Sequence, residues 1–350
     1  MLMIHTADIH LGASPDQGEP WSANRKQELW DTFERLIQTV EAEKADLLLI
    51  AGDLFERPPL LRELREVNAL FSTLTKTKVV LIAGNHDYIG KNSHYREFVW
   101  DDCVTFLRSS QMTKVQFPEF QTEVYGLSYH SKEIREHLYD TAVPEENGYY
   151  HILLGHGGDE LHIPFSKEAL MNNGFDYIAL GHIHKPGMIL PDRAIYSGCL
   201  EPAECTCTGT HGYVRIEVDK AGQKAFFVPF AKREYQKLVI NISEEDTMTS
   251  LFARLGEKVT ELGEQNIYDV IIQGKRHASL EIMEEKIKSV GNIRAISDQT
   301  DKYYDYEQLV KDYEGCLLQR YISSFGQSEE EVDKKALAYG TEAILEALKA

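Results

Sequence analysis

Three short and almost unbroken apolar runs, Leu2–Thr6, Asp46–Ala51 and Lys78–Ala83, each stop abruptly at Asp, Gly, Asn or His. Runs this apolar and this short read as strands buried on both faces, which occur in parallel sheets covered by helices. Between the first two, Leu29, Trp30, Phe33, Leu36, Ile37 and Val40 recur at helical spacing, and a second helix is expected from about Leu60 to Leu74. Strand–helix alternation of this kind predicts a layered α/β fold. Further strands fit Gln121–Gly126, Tyr150–Leu154 and Asp176–Leu180, followed by hairpin-like runs at Gly187–Leu190, Ala194–Ser197, Gly212–Asp219 and Lys224–Pro229.

After Phe230 the texture changes. Tyr235–Ile242, Tyr268–Gln273 and Asn292–Ser297 read as strands, with helices near Thr247–Leu262 and Ser279–Ser289 between them. Two amphipathic helices are expected to close the chain. One carries Tyr306, Leu309, Val310, Tyr313, Leu317 and Tyr321; the other opens on a capping box from Ser328 to Glu331. The expected organisation is a catalytic domain over 1–230, a small α+β module over 231–300 and terminal helices over 301–350.

No run of about 18 apolar residues occurs, so no membrane span is expected. The first residues do not resemble a secretory signal, and five cysteines, an odd number, do not suggest a disulfide framework. A reduced, cytoplasmic protein is the resulting expectation. Cys205 and Cys207 form a lone Cys-x-Cys pair, a weak candidate for a soft metal.

The chemistry lies in five fragments, each at an expected strand end: Asp8-Ile-His10, Gly52-Asp53, Gly84-Asn85-His86-Asp87, Gly155-His156 and Gly181-His182-Ile-His184. A lone histidine at a strand end is usually structural, and Gly-Asp or Gly-His alone carries little. Five such fragments in order are a different matter, because ends on one edge of a sheet converge in space. Two carboxylates, four histidines and an asparagine suit divalent first-row ions with mixed oxygen and nitrogen preference. Mn²⁺ is the first expectation, with Fe²⁺, Zn²⁺ or Mg²⁺ as alternatives.

The ordered set resembles the calcineurin-like metallophosphoesterase superfamily and, within it, the SbcD-type DNA repair exonucleases. The motifs cover about residues 1–230. The resemblance implies a four-layer-like β-sandwich flanked by helices, with a small α+β capping module and C-terminal helices. It assigns Asp8, His10 and His184 to one metal ion, Asn85, His156 and His182 to a second, and Asp53 to a bridging position. It makes His86 a catalytic residue that is not a ligand, with Glu56 or Asp87 as the acid that orients it. The segment Ser197-Gly198-Cys199, with Glu201, Pro202 and Glu204 after it, departs from the family's usual small and basic residues.

Two divalent ions about 3.5–4 Å apart lower the pKa of a shared water enough to make it a nucleophile near neutrality. The expected function is therefore a metal-dependent phosphodiesterase, which the resemblance makes a DNA exo- or endonuclease subunit acting in repair. A phosphomonoesterase or cyclic-nucleotide phosphodiesterase with the same metals is the rival among enzymes, and a non-catalytic scaffold the rival outside them. Arg57, Lys232 and Arg233 are candidate phosphate contacts, although exposed loop charges are commonly just solvated. A formal charge of −19 argues against a tight, self-sufficient grip on DNA. The resemblance implies that an SMC-like ATPase of the SbcC type supplies that grip through the terminal helices. It also implies a homodimer formed by helices near 59–75 and 93–108.

Overall fold

The computed structural model describes residues 1–326, 328 and 330–349. It divides into two compact units, Met1–Tyr235 and Gln236–Ala350. The first unit runs β1 (Leu2–Thr6), α1 (Ser22–Glu43), β2 (Leu47–Ala51), α2 (Leu61–Phe71), β3 (Lys78–Ile82) and β4 (Val104–Phe106). It continues through β5 (Thr113–Phe117), β6 (Thr122–Gly126), β7 (Tyr150–His156), α3 (Lys167–Asn172) and β8 (Tyr177–Gly181). It closes with β9 (Gly187–Leu190), β10 (Ala194–Tyr196), β11 (Gly212–Asp219) and β12 (Gly222–Pro229).

These strands build two six-stranded sheets, ordered β12-β11-β1-β2-β3-β4 and β5-β6-β7-β8-β10-β9. Strands β1 to β4 are parallel, as are β6, β7, β8 and β10, while the outer strands β5, β9, β11 and β12 pair antiparallel. Side chains alternate across β2 and tie the layers together. Leu47, Leu49 and Ala51 enter a core shared with Val80, Ile82, Ile152, Leu154 and Tyr177 of both sheets. Leu48 and Ile50 point the other way, under Leu29, Phe33 and Leu36 of α1 and Leu64 and Val67 of α2. The far face of the second sheet packs Leu153, Ile178 and Leu180 against Tyr139, Leu170 and Phe175. The result is the flanked double-sheet sandwich that the resemblance implied. Because the central strands of each sheet are parallel, their C-terminal ends share an edge, and every metal-type fragment lies at such an end.

The second unit holds β13 (Tyr235–Ile242), α4 (Met248–Leu262), β14 (Ile267–His277), α5 (Glu284–Lys288) and β15 (Ile293–Tyr303), followed by α6 (Tyr306–Asp312), α7 (Leu317–Phe325) and α8 (Glu331–Lys349). Its sheet, β13-β14-β15, packs Leu251, Leu255 and Val259 of α4 against Leu238, Ile240, Val270 and Ile272. No helix among the described residues is long and apolar enough to cross a membrane.

Several local expectations are corrected. The single helix expected around 306–321 is two, α6 and α7, interrupted near Gly315, whose φ of +78° no helix interior accepts. The capping box also fails: α8 begins at Glu331, and Ser328 Oγ donates instead to Asp333. The helix expected over 279–289 shrinks to Glu284–Lys288. Residues 93–108, expected to supply one helix of a dimer face, hold only a 3₁₀ turn, His94–Arg96, and the short strand β4.

A buried ionic cluster pins α1 to the loops after β10 and β12. Arg25 is fully buried; its Nη1 lies 2.8 Å from Glu28 Oε2, its Nε 3.1 Å from Asp16 Oδ2, and its Nη2 donates to the Pro202 carbonyl. Arg233 closes on the same Glu28 carboxylate at 2.5 and 2.6 Å, and Lys232 Nζ is 3.7 Å away. Glu201, the unusual residue of the departing loop, is buried and accepts from Thr32 Oγ1 and from the backbone amides of Lys232 and Arg233. Arg233, expected as a phosphate contact, is therefore a structural clamp that is only 11% exposed. Burial opposes ionisation of Glu28, but Arg233 and Arg25 overcome it and hold the carboxyl down at about 2. A depressed folded pKa stabilises fully above the unfolded value near 4.5, and that contribution is lost as pH falls toward about 2. Glu28→Gln should cost roughly 3–5 kcal/mol at neutral pH, since it leaves two buried guanidiniums under-compensated. In chemical unfolding followed by tryptophan fluorescence, the gap between wild type and variant should shrink below pH 4.5; a gap independent of pH would contradict this.

Candidate metal centre

All five fragments meet at one edge of the sandwich. Asp8 and His10 follow β1, Asp53 follows β2, Asn85 and His86 follow β3, His156 ends β7, and His182 and His184 follow β8. Asp8, His10, Asp53 and His156 are buried. Ligand atoms of Asp8, His10 and His184 lie within 4.8 Å of one another, as do those of Asp8, Asp53 and His156.

Each of the four histidines has one ring nitrogen facing an outer partner and the other turned inward, and for His156, His182 and His184 a hydrogen bond makes the outer link. His156 Nδ1 donates to the Ala51 carbonyl at 2.9 Å, which leaves Nε2 facing Asn85 Oδ1 at 2.8 Å and Asp53 Oδ2 at 3.3 Å. His182 reverses the pattern: Nε2 donates to Asp159 Oδ2 at 2.7 Å, and Nδ1 faces Asn85 Oδ1 at 3.1 Å. His184 Nδ1 lies 3.5 Å from Cys207 Sγ. His10 Nδ1 lies 2.9 Å from Glu56 Oε2, off the line of a straight hydrogen bond. That leaves the two Nε2 atoms of His10 and His184 facing each other at 3.1 Å. Two inward lone pairs at this distance repel unless a cation, or a proton in its place, lies between them. Inner donors about 3 Å apart are also what ligands on a common ion show when metal–ligand bonds are about 2.1 Å. The donor set fits two divalent ions: Asp8, His10 and His184 on one side, Asn85, His156 and His182 on the other, with Asp53 between.

The backbone is bent to make this possible. Asp8, His10, Asp53 and His182 have φ of 51°, 50°, 49° and 94°, a region L-residues rarely occupy. Such residues cost about 1–3 kcal/mol each and cluster at functional sites. Strong anchors hold them: both Asp8 oxygens accept the His182 amide at 3.0 Å, and Asp53 Oδ1 accepts the His86 amide at 2.9 Å. Gly84 is required because a Cβ there would collide with the Asp53 carboxylate.

The two acids expected beside His86 separate cleanly. Glu56 faces it, with Oε1 3.6 Å from His86 Nδ1 and the Glu56 carbonyl 3.2 Å away. The nearby Glu56 carboxylate, with Asp53, raises His86 to about 9. Asp87 turns away. It is fully buried, and it accepts from the Gly84 and Phe55 amides and the Tyr95 hydroxyl. Its carboxylate fixes the loop after β3 and leaves His86 to Glu56. Arg57, another expected phosphate contact, is bound to both Glu63 oxygens at 2.8 and 3.1 Å.

Asp159 is missing from the sequence reading, and Cys207 enters it only as half of a soft-metal pair. Asp159 follows Gly155-His156 by a few residues, and its carboxylate also holds His162 Nδ1 at 2.8 Å. Cys207 belongs to the weak Cys-x-Cys pair, yet its sulfur faces His184, while Cys199 lies 3.2 Å from His211 Nδ1. Burial opposes protonation of His156 and His184, but Asp53 and Asp8 raise the first to about 9 and Cys207 and Asp8 the second. Both rings therefore carry protons at neutral pH without metal, and Mn²⁺ affinity should rise between pH 7 and 9 as those protons leave. Outer partners of metal-bound histidine are typically worth 10–100-fold in affinity. Calorimetric titration with Mn²⁺ should show losses of that order for Asp159→Asn and Cys207→Ala, with Cys207→Ser close to wild type. Unchanged affinity in both would show that the outer tethers do not organise the site.

The calcineurin-like phosphoesterase family model matches residues 1–186, just over half of the 350-residue chain. The chain is 28% identical over 281 residues to Uncharacterized metallophosphoesterase YhaO of Bacillus subtilis, covering 75% of this chain and 68% of that protein. It is 32% identical over 198 residues to the DNA double-strand break repair protein Mre11 of Methanocaldococcus jannaschii, covering 53% and 52% of the two chains. The Mre11 protein of Aeropyrum pernix is 24% identical over 274 residues, covering 69% and 64%. The chain thus spans between 52% and 68% of the length of these relatives. Every inward-facing donor lies inside the matched segment, and the chain belongs to the calcineurin-like phosphoesterase family of metal-dependent phosphoesterases.

Proposed function

We propose that this protein is a nuclease that hydrolyses phosphodiester bonds in DNA. The observation that carries the chemistry is the convergence of four tethered histidines, two aspartates and an asparagine on adjoining points. Similarity to two Mre11 DNA repair proteins supports DNA as the substrate. Bound divalent ions supply Lewis acidity and lower the pKa of water at such a site. The protein's own residues hold and orient that chemistry. Asp53 sits between the two donor sets and fixes the His86 amide, so the loop carrying His86 cannot move independently of the site. His86, half-exposed beside Asn85, presents its ring to the cleft, with Glu56 behind Nδ1. In that position it donates a proton to the leaving oxygen, or a hydrogen bond to the phosphoryl group as charge develops. Bound divalent ions would balance Asp8, Asp53 and Glu56 locally, so an anionic diester would meet a compensated pocket despite the acidic chain.

End-labelled single- and double-stranded DNA, incubated with Mn²⁺ or Mg²⁺, provides the test. The wild type should cleave it, and Asp53→Asn should lose both metal and activity. His86→Ala should keep its metal yet lose about 10²–10⁴ in turnover. Hydrolysis of a small phosphodiester with none of any DNA would overturn the nuclease reading. Metal loss in His86→Ala would overturn the role given to that residue.

A further inference from the structure

The strand that carries His156 outlasts its neighbour. β6 pairs with β7 only as far as Gly126, which lies opposite Leu154, two residues before the histidine. On that side the His156 amide and carbonyl have no strand to meet, and buried backbone groups without partners are costly. Three phenols fill the gap. Tyr139 Oη accepts the His156 amide at 2.8 Å and donates to the His156 carbonyl at 3.2 Å. Tyr129 Oη donates to the same carbonyl at 3.0 Å, and Tyr196 Oη donates to the Gly157 carbonyl at 2.7 Å. We propose that Tyr129, Tyr139 and Tyr196 are positioning residues for the second cation site, a clamp of three hydroxyls that sets His156 and the loop behind it. The proposal rests on the two-cation centre of the nuclease reading above, and on nothing about its substrate.

The three rings come from different parts of the chain: Tyr129 follows β6, Tyr139 lies in the loop before β7, and Tyr196 ends β10. All are buried in one apolar cluster, where phenylalanine would fill nearly the same space. What tyrosine adds is the hydroxyl, and all three hydroxyls meet two consecutive residues. Their effect reaches the cation site by two routes. The first runs through His156 itself. Its ring is held at Nδ1 by the Ala51 carbonyl, and the Tyr129 ring stands against it at 5.5 Å and 88°. A shift of the backbone under that ring would pull Nε2 away from Asn85 and Asp53. The second route runs through Gly157 and Gly158 to Asp159, whose carboxylate tethers His182 Nε2 at 2.7 Å. That link is short and stiff. The Gly158 amide donates to the His162 carbonyl at 2.7 Å, and a Cβ on Gly158 would collide with the Tyr196 hydroxyl. Two of the three ligands assigned to the second cation, His156 and His182, thus answer to one clamp. Among the described residues, none of the three hydroxyls bonds to Asp8, His10 or His184, which are assigned to the first cation.

Electron paramagnetic resonance of the full-length protein, titrated with Mn²⁺ and frozen, tests the clamp without relying on turnover. Two neighbouring Mn²⁺ ions give an exchange-coupled spectrum, and a single ion does not. The wild type should bind two ions per chain and show the coupled signal. Tyr139→Phe should keep one ion at wild-type affinity and hold the other about tenfold more weakly, so that the isolated-ion spectrum persists to higher Mn²⁺. Tyr129→Phe and Tyr196→Phe, each losing one bond, should weaken the same ion by a smaller factor, and they carry the test if Tyr139→Phe does not fold. Tyr177→Phe is the control. That phenol is as deeply buried but meets His5, so its loss should lower stability and leave the coupled pair intact. Wild-type affinity for both ions in all three clamp variants, or equal weakening of both ions, would overturn the clamp. So would a Tyr177→Phe variant that loses the pair as readily as Tyr139→Phe. A wild type without a coupled pair would overturn the two-cation centre and the clamp with it. The predicted variant effects without any DNA cleavage would overturn the nuclease and leave the clamp standing.

Discussion

Everything at this centre depends on the outward tethering of four imidazole rings. A histidine at a strand end can rotate, change tautomer or pair with a neighbour, and a free ring makes a poor ligand. Here Ala51 O, Asp159, Glu56 and Cys207 each face one nitrogen and direct the other inward. The outer partners differ in kind: a backbone carbonyl, two carboxylates and a sulfur. What they share is position, one step outside the donors, so the protein fixes ring orientation before any cation arrives.

The cost of that preorganisation sits in the backbone. Four of the donor-bearing residues occupy left-handed conformations, and they persist because the strands before them are locked on both sides. The C-terminal halves of β1, β2 and β3 are buried between α1 and α2 on one face and the second sheet on the other, in the two largest apolar clusters of the molecule. Packing of this density resists local relaxation. The sandwich is thus the support that lets strained loops converge, and the ionic cluster of Arg25, Glu28, Glu201 and Arg233 fastens the loop after β10 to α1.

Much of this was legible in the sequence. Buried strands show themselves by unbroken apolar runs, and chemistry at their ends by residues too polar to belong to them. Asp8 and Asp53 could be placed at one sheet edge because parallel strands share their direction, and the pairing of two sheets brings His156, at the end of β7, to the same side. The remainder was not legible, because it depends on contacts across long sequence separations. Nothing near Asp159 announces that it will face His182, and Cys207 looked like half of a soft-metal pair until its sulfur was seen beside His184. Asp87 directly follows His86 in the chain and Glu56 follows Asp53 by three residues, and the sequence alone leaves both as candidates for its acid. Only burial and three hydrogen-bond donors turn Asp87 into a loop anchor. Arg233 misled for a related reason: a basic residue in a loop reads as open to phosphate, and only the fold reveals its partner in Glu28.

The central claim is that the inward nitrogens and oxygens form two adjoining cation sites. Anomalous diffraction from crystals soaked in Mn²⁺ tests it most directly. The account predicts two peaks about 3.5–4 Å apart, one beside His10 and His184 and the other beside Asn85, His156 and His182, with Asp53 touching both. A single peak, or none within reach of Asp53, would contradict it.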